Sequence, residues 1–125
     1  MFCLPALADY IQFDKMDTFK CVMDETIYNS DNSVVSQNNY ERIYRLDDLK
    51  NQIYLQKSPV NSISVYNTDE VEFNDQSMTD DFIMSSHVKL NRKTGEITSD
   101  GTINYDNSAF GQRYSKAHGN CTLQK

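Results

Sequence analysis

The stretch "DFIMSSHVKLNRKTGEITSDGTINYD", residues 81–106, decides the fold class. From Phe82 onward its polarity alternates: Phe82, Met84, Val88 and Leu90 fall on one side, and Ser85, His87 and Lys89 on the other. A period of two belongs to a strand with one buried and one wet face, whereas a helix needs apolar residues at three- and four-residue spacing. The run is interrupted by "NRKTGE", where Gly95 stands at the point at which a three- to five-residue hairpin loop requires a left-handed residue. Alternation then resumes in "GEITS" and "GTINYD", with Asp100-Gly101 between them as the expected centre of a two-residue type I′ turn.

Working outward, the same signature recurs in "ERIYRL", "NQIYLQ", "NSISVY" and "DEVEF". These are short runs rich in Ile, Val, Tyr and Phe, separated by Asp, Asn and Ser clusters. The expectation is an all-β domain, an antiparallel meander closed as a small barrel or sandwich of about seven to nine strands. At most one short helix is expected, near Asp9 to Met16 or in "NSAFGQRYS". The polar segment Thr26 to Asn39 reads as a long loop around a weak strand at Ser33 to Ser36.

The chain begins "MFCLPALADY", eight residues without charge in a protein that is only 38% hydrophobic. Ala6-Leu7-Ala8 places small residues where a signal peptidase requires them, so residues 1–8 read as the remnant of a signal peptide and 9–125 as a single β-domain. The competing reading is a cytosolic protein with an apolar N-terminal strand. No later stretch approaches the roughly 18 apolar residues of a membrane span, so no span is expected in the mature chain. Export implies a periplasmic or secreted location.

Cleavage would remove Cys3 and leave two cysteines, and in an oxidising compartment such a pair reads as a disulfide. In "TFKCVM" alternation puts Phe19, Cys21 and Met23 on one face, and in "NCTL" it puts Cys121 and Leu123 on one face. Cys21 and Cys121 would then point inward from the first and last strands. Two buried free thiols are the alternative.

The formal net charge of −6, with scattered basic residues, argues against nucleic acid, whose phosphates reward clustered Lys and Arg. His87 falls on a polar strand face and His118 in "KAHGN", read as a turn before the last strand. Neither belongs to a catalytic motif, and nucleophile-elbow, P-loop, dinucleotide and zinc-spacing patterns are absent from the sequence. No cofactor, metal or catalytic residue is expected. The acidic run Asp69, Glu70, Glu72, Asp75, Asp80 and Asp81 lacks the spacing of a calcium loop and reads as a solvated hairpin, with Glu70 and Glu72 on its wet face.

The succession of F-K-C after a signal peptide, "YRLDDLKNQIYL", "VKLNRKTGEI" and a final "HGNC" resembles small secreted proteins of Gram-negative bacteria that have no assigned activity. That resemblance implies a periplasmic β-domain. "AFGQRYS" is similar to the loop with which periplasmic lysozyme inhibitors enter their target's cleft, with Phe110 standing at the position of that loop's serine. It implies a partner-binding loop made of Phe110, Gly111, Arg113 and Tyr114. The reading is a non-catalytic periplasmic or secreted domain that binds a protein or a small molecule. A protein-interaction or inhibitor module is set against a lipocalin-like carrier with a hollow barrel.

Overall fold

The computed structural model describes residues 11–106 and 111–124. A single 3-10 turn, Phe13–Lys15, precedes nine strands: β1 (Asp17–Asn29), β2 (Val34–Asp47), β3 (Gln52–Leu55), β4 (Ser58–Pro59), β5 (Ser62–Tyr66), β6 (Glu70–Met78), β7 (Phe82–Asn91), β8 (Glu96–Tyr105) and β9 (Gln112–Gln124). All pair antiparallel in one sheet of order β4-β3-β2-β1-β9-β8-β7-β6-β5. First and last strands are therefore neighbours at the centre, and the two halves of the chain meander away from them to opposite edges.

Those edges are consecutive in sequence. Between Pro59 at the end of β4 and Ser62 at the start of β5 the chain has three Cα steps, a reach of about 11 Å at most. A nine-stranded sheet can bring its edges that close only by curling, and the result is a half-barrel. The curl makes the core. Alternate residues of the inner face are buried, among them Phe19, Cys21 and Met23 of β1, Tyr44 and Leu46 of β2, Val71 and Phe73 of β6, and Val88 and Leu90 of β7. The Tyr44 and Phe73 rings meet edge-on at 5.4 Å, joining β2 to β6 across the interior rather than along the sheet.

A polar staple reinforces one end of the curl. Arg92, on the β7–β8 turn with only 8% of its side chain exposed, reaches Asp17 at 3.0 Å, Asp48 at 3.0 Å and the Asn67 carbonyl at 3.0 Å. Tyr66 of edge strand β5 donates its hydroxyl to the same Asp48 at 2.8 Å. One guanidinium thus connects the start of β1, the β2–β3 turn and the β5–β6 turn. The Arg92 hydrogen bond holds Asp48 below its ordinary carboxylate value.

The Gly95 hairpin forms as expected: Gly95 has φ +83° and its N–H closes the turn onto Asn91 O at 2.9 Å. Other expectations are corrected. Thr26 to Asn39 is a hairpin between the long strands β1 and β2, not a loop, and its turn carries Asn32 at φ 71° with Asp31 accepting from the Ser33 N–H and hydroxyl. Asp100-Gly101 is not a turn but the middle of β8, Gly101 lying between Ser86 and Ser115. A Cβ there would press on the Ser86 hydroxyl and the Ser85 carbonyl, at 2.9 and 3.0 Å, so this glycine serves close packing rather than a left-handed backbone. "KAHGN" likewise lies within β9, with His118 between Asp24 and Thr98.

A candidate binding trough on the outer face

Cys21 and Cys121 stand directly opposite in the β1–β9 ladder and are joined by a disulfide, with Cα atoms 3.9 Å apart. The Cys121 N–H is directed away from β1, to Gly95 O at 2.7 Å. The pair is therefore of the non-hydrogen-bonded kind, in which antiparallel strands approach most closely. Glycine is required at position 95 for this contact too, because a Cβ would collide with the Cys121 carbonyl.

Of the expected partner loop, Gly111, Arg113 and Tyr114 are described. Phe110 lies outside the described residues, and Gly111, exposed at φ +63°, immediately precedes β9. Arg113 and Tyr114 already belong to that strand, so they point to opposite faces. Arg113 turns inward, its Nε 3.3 Å from Asn29 Oδ1 and its guanidinium 5.1 Å from the Tyr105 ring centre. Tyr114 points outward and is 37% exposed.

Outward-facing Tyr114 leads to a trough of about 930 Å³ across the outer face. Strand register builds it from two transverse rows. In one row Asn74, His87, Asp100 and Lys116 are successive cross-strand partners from β6 to β9. In the other, Gln76, Ser85, Thr102 and Tyr114 continue onto Tyr28 of β1. Between the rows lies the backbone of Asp75, Ser86, Gly101 and Ser115, with the Asp75, Ser86 and Ser115 side chains facing inward; Asn32 and Asn61 also border the space.

Two contacts brace the trough. His87 Nδ1 lies 2.8 Å from Asn74 Oδ1, and Gln76 Nε2 donates to Ser85 Oγ at 3.2 Å. His87 is exposed, as expected, and its other nitrogen is 3.8 Å from Oε2 of Glu72, whose Oε1 pairs with Lys89 at 3.3 Å. Asp100 and Lys116 face each other without an ion pair. Tyr28 and Tyr114 are direct cross-strand neighbours and place two ring surfaces at one end. Sequence reasoning located His87 and Ser85 on the wet face and singled out Tyr114. It missed Asn74, Gln76, Asp100, Thr102, Lys116 and Tyr28, because only the lateral alignment of five strands brings them together.

The inner face offers less room. Beyond the apolar core it carries a polar group of side chains, with Ser115 Oγ donating to Glu25 at 2.7 Å and the Arg42 guanidinium 4.9 Å from the Tyr40 ring centre. The cavity there is about 150 Å³ and is bordered by Tyr40, Arg42, Asp75 and Met84. Burial raises the Asp75 carboxyl above its ordinary value and pushes the Tyr44 phenol up to about 12. The acidic run is dispersed: Asp69 pairs with Lys93 at 3.1 Å, Glu72 with Lys89, and Asp75 turns inward. Among the described residues no three His, Cys, Asp or Glu side chains gather as a metal site. Comparison of the chain with protein-family models, curated proteins and solved structures returns no match.

Proposed function

We propose that the protein is a non-catalytic binding domain of the periplasm or the extracellular space, and that the outer-face trough is its binding surface. One observation carries this reading. A cleft of about 930 Å³, within the ~300 to 1,000 Å³ of ligand sites, crosses the central strands of a rigid sheet and is framed by exposed hydrogen-bonding side chains. A disulfide closing most of the chain fits an oxidising compartment, and no described helix is long and apolar enough to cross a membrane. The module acts by presenting a preformed surface, so binding costs little ordering of the protein. The lipocalin-like alternative has less support, since the interior is packed with Phe19, Met23, Tyr44, Phe73 and Leu90 and its cavity of about 150 Å³ falls below that range.

The test is hydrogen exchange in a concentrated cell-envelope extract, comparing the wild type with Thr102→Arg, whose outward side chain would fill the trough. Protection confined to 74–76, 85–87, 100–102 and 114–116, and lost in the variant, is the expected result. Unchanged exchange there, or protection restricted to inner-face positions, would overturn the proposal.

A further inference from the structure

We infer that the ligand of the trough is an oligosaccharide chain, an assignment that rests on the binding role proposed above and narrows it to one chemical class. The lining is the argument. Among the described residues that border the space there is no Leu, Ile, Val, Met or Phe. A lipid would find no aliphatic side chain among them to pack its acyl chain against. A peptide partner draws most of its affinity from apolar or aromatic anchors seated in desolvated pockets, and this floor is peptide backbone between polar rows. A nucleic acid would need clustered cations, yet Lys116 stands opposite Asp100 in register, with His87 on the other side of that same aspartate.

A sugar ring matches what remains. Its hydroxyls are donors and acceptors at once, and so are the side-chain amides of Asn32, Asn61, Asn74 and Gln76 and the hydroxyls of Ser85 and Thr102. Its C–H face is apolar and packs on an aromatic ring, and Tyr28 and Tyr114 supply two adjacent rings at one end. Asp100 and Lys116, which make no ion pair with each other, remain able to bond to ligand hydroxyls, where charge-assisted hydrogen bonds are the strong ones. Length points to a chain rather than one ring. From β6 to β1 the longer row crosses four inter-strand steps, about 19 Å at the usual strand spacing.

Titrating the ¹⁵N-labelled protein with cellohexaose, chitohexaose and hexa-galacturonate tests this directly. Saturable shifts at 85–87, 100–102 and 114–116 are expected with at least one of the three. Tyr28→Ala and Tyr114→Ala should each weaken that binding about tenfold, the equivalent of about 1.4 kcal/mol, and Thr102→Arg should abolish it at an unchanged melting temperature. No saturable shift with any of the three, or shifts that survive Thr102→Arg, overturns the assignment. The envelope extract separates this failure from failure of the binding role. Trough protection lost after periodate cleavage of vicinal diols, but kept after protease digestion, supports a saccharide. The reverse pattern refutes the saccharide and leaves a protein partner, and absence of protection from the untreated extract removes both.

Discussion

The cystine makes the largest quantitative demand on the structure. It joins residues 100 apart in sequence, so in the chain-entropy account its removal frees the unfolded chain by about 4.7 kcal/mol. Little of this should be offset in the native state, because the β1–β9 ladder from Thr18↔Gln124 to Asn29↔Arg113 is held by its own backbone hydrogen bonds. The perturbation is Cys21→Ala with Cys121→Ala, and the assay is urea unfolding beside the wild type. At about 2.1 cal/mol/K of unfolding entropy per residue, a chain of this length should lose about 18 °C in melting temperature. The urea m-value should also rise, because an unfolded chain without the crosslink exposes more surface. Either single variant should cost nearly as much as the pair, since each abolishes the same bond. A loss below about 1 kcal/mol with an unchanged m-value would refute the reasoning, as would Cys21 and Cys121 both reacting as free thiols in the unfolded wild type.

Arg92→Met should destabilise the fold by about 2 kcal/mol, the worth of hydrogen bonds to charged partners, and hydrogen exchange should rise first at the β2–β3 and β5–β6 turns that it links. Asp48 has a lowered folded-state pKa, so its contribution is present above the unfolded value and is lost as pH falls through the folded one; acid titration of stability should lose that component in Arg92→Met. Asp75 has a raised pKa, so the opposite holds: stability is lost as pH rises through its folded value, and Asp75→Asn should be more stable than the wild type at neutral pH but not in acid. Gly119→Ala should cost about 3 kcal/mol by thermal denaturation, because a Cβ there would collide with the Val22 carbonyl, which is backbone and cannot yield. Glu70→Ala and His87→Ala on the outer face should change stability by no more than about 0.5 kcal/mol, and a loss above about 2 kcal/mol would mean that the strand faces are exchanged.

What was legible in the sequence was whatever a single strand states about itself. Alternation in "TFKCVM" and "DFIMSSHVKL" placed Phe19, Cys21, Met23, Val88 and Leu90 inward, and all five are buried. The glycine of "NRKTGE" marked a hairpin because its left-handed conformation is a local property. Local signals failed where neighbours decide. Thr26–Asn39 is poor in strand formers, yet β1 is held there between β2 and β9, and this pairing supplies what composition lacks. Gly101 and Gly119 look like turn residues, but their meaning is the approach of another backbone or side chain, which no local pattern records.

The trough lay further from view because its rows are assembled from separate strands, one of them reaching from Tyr28 to Tyr114 in the sequence. His87 meets Asp100 and Lys116 only if the β7–β8 and β8–β9 ladders both take the observed register, and a shift of two residues in either would part the rows while leaving every face assignment intact. Alternation alone therefore cannot find the site. The turns can fix the register: Gly95 closes β7 onto β8 so that Leu90 meets Ile97, and its carbonyl receives the Cys121 N–H, which aligns β9 with both. The disulfide then fixes β9 against β1, bringing Tyr28 beside Tyr114. The contacts around Gly95 and Cys121 that stabilise one end of the half-barrel thus also set, some twenty ångströms along the strands by their rise of about 3.3 Å per residue, which side chains share the outer face.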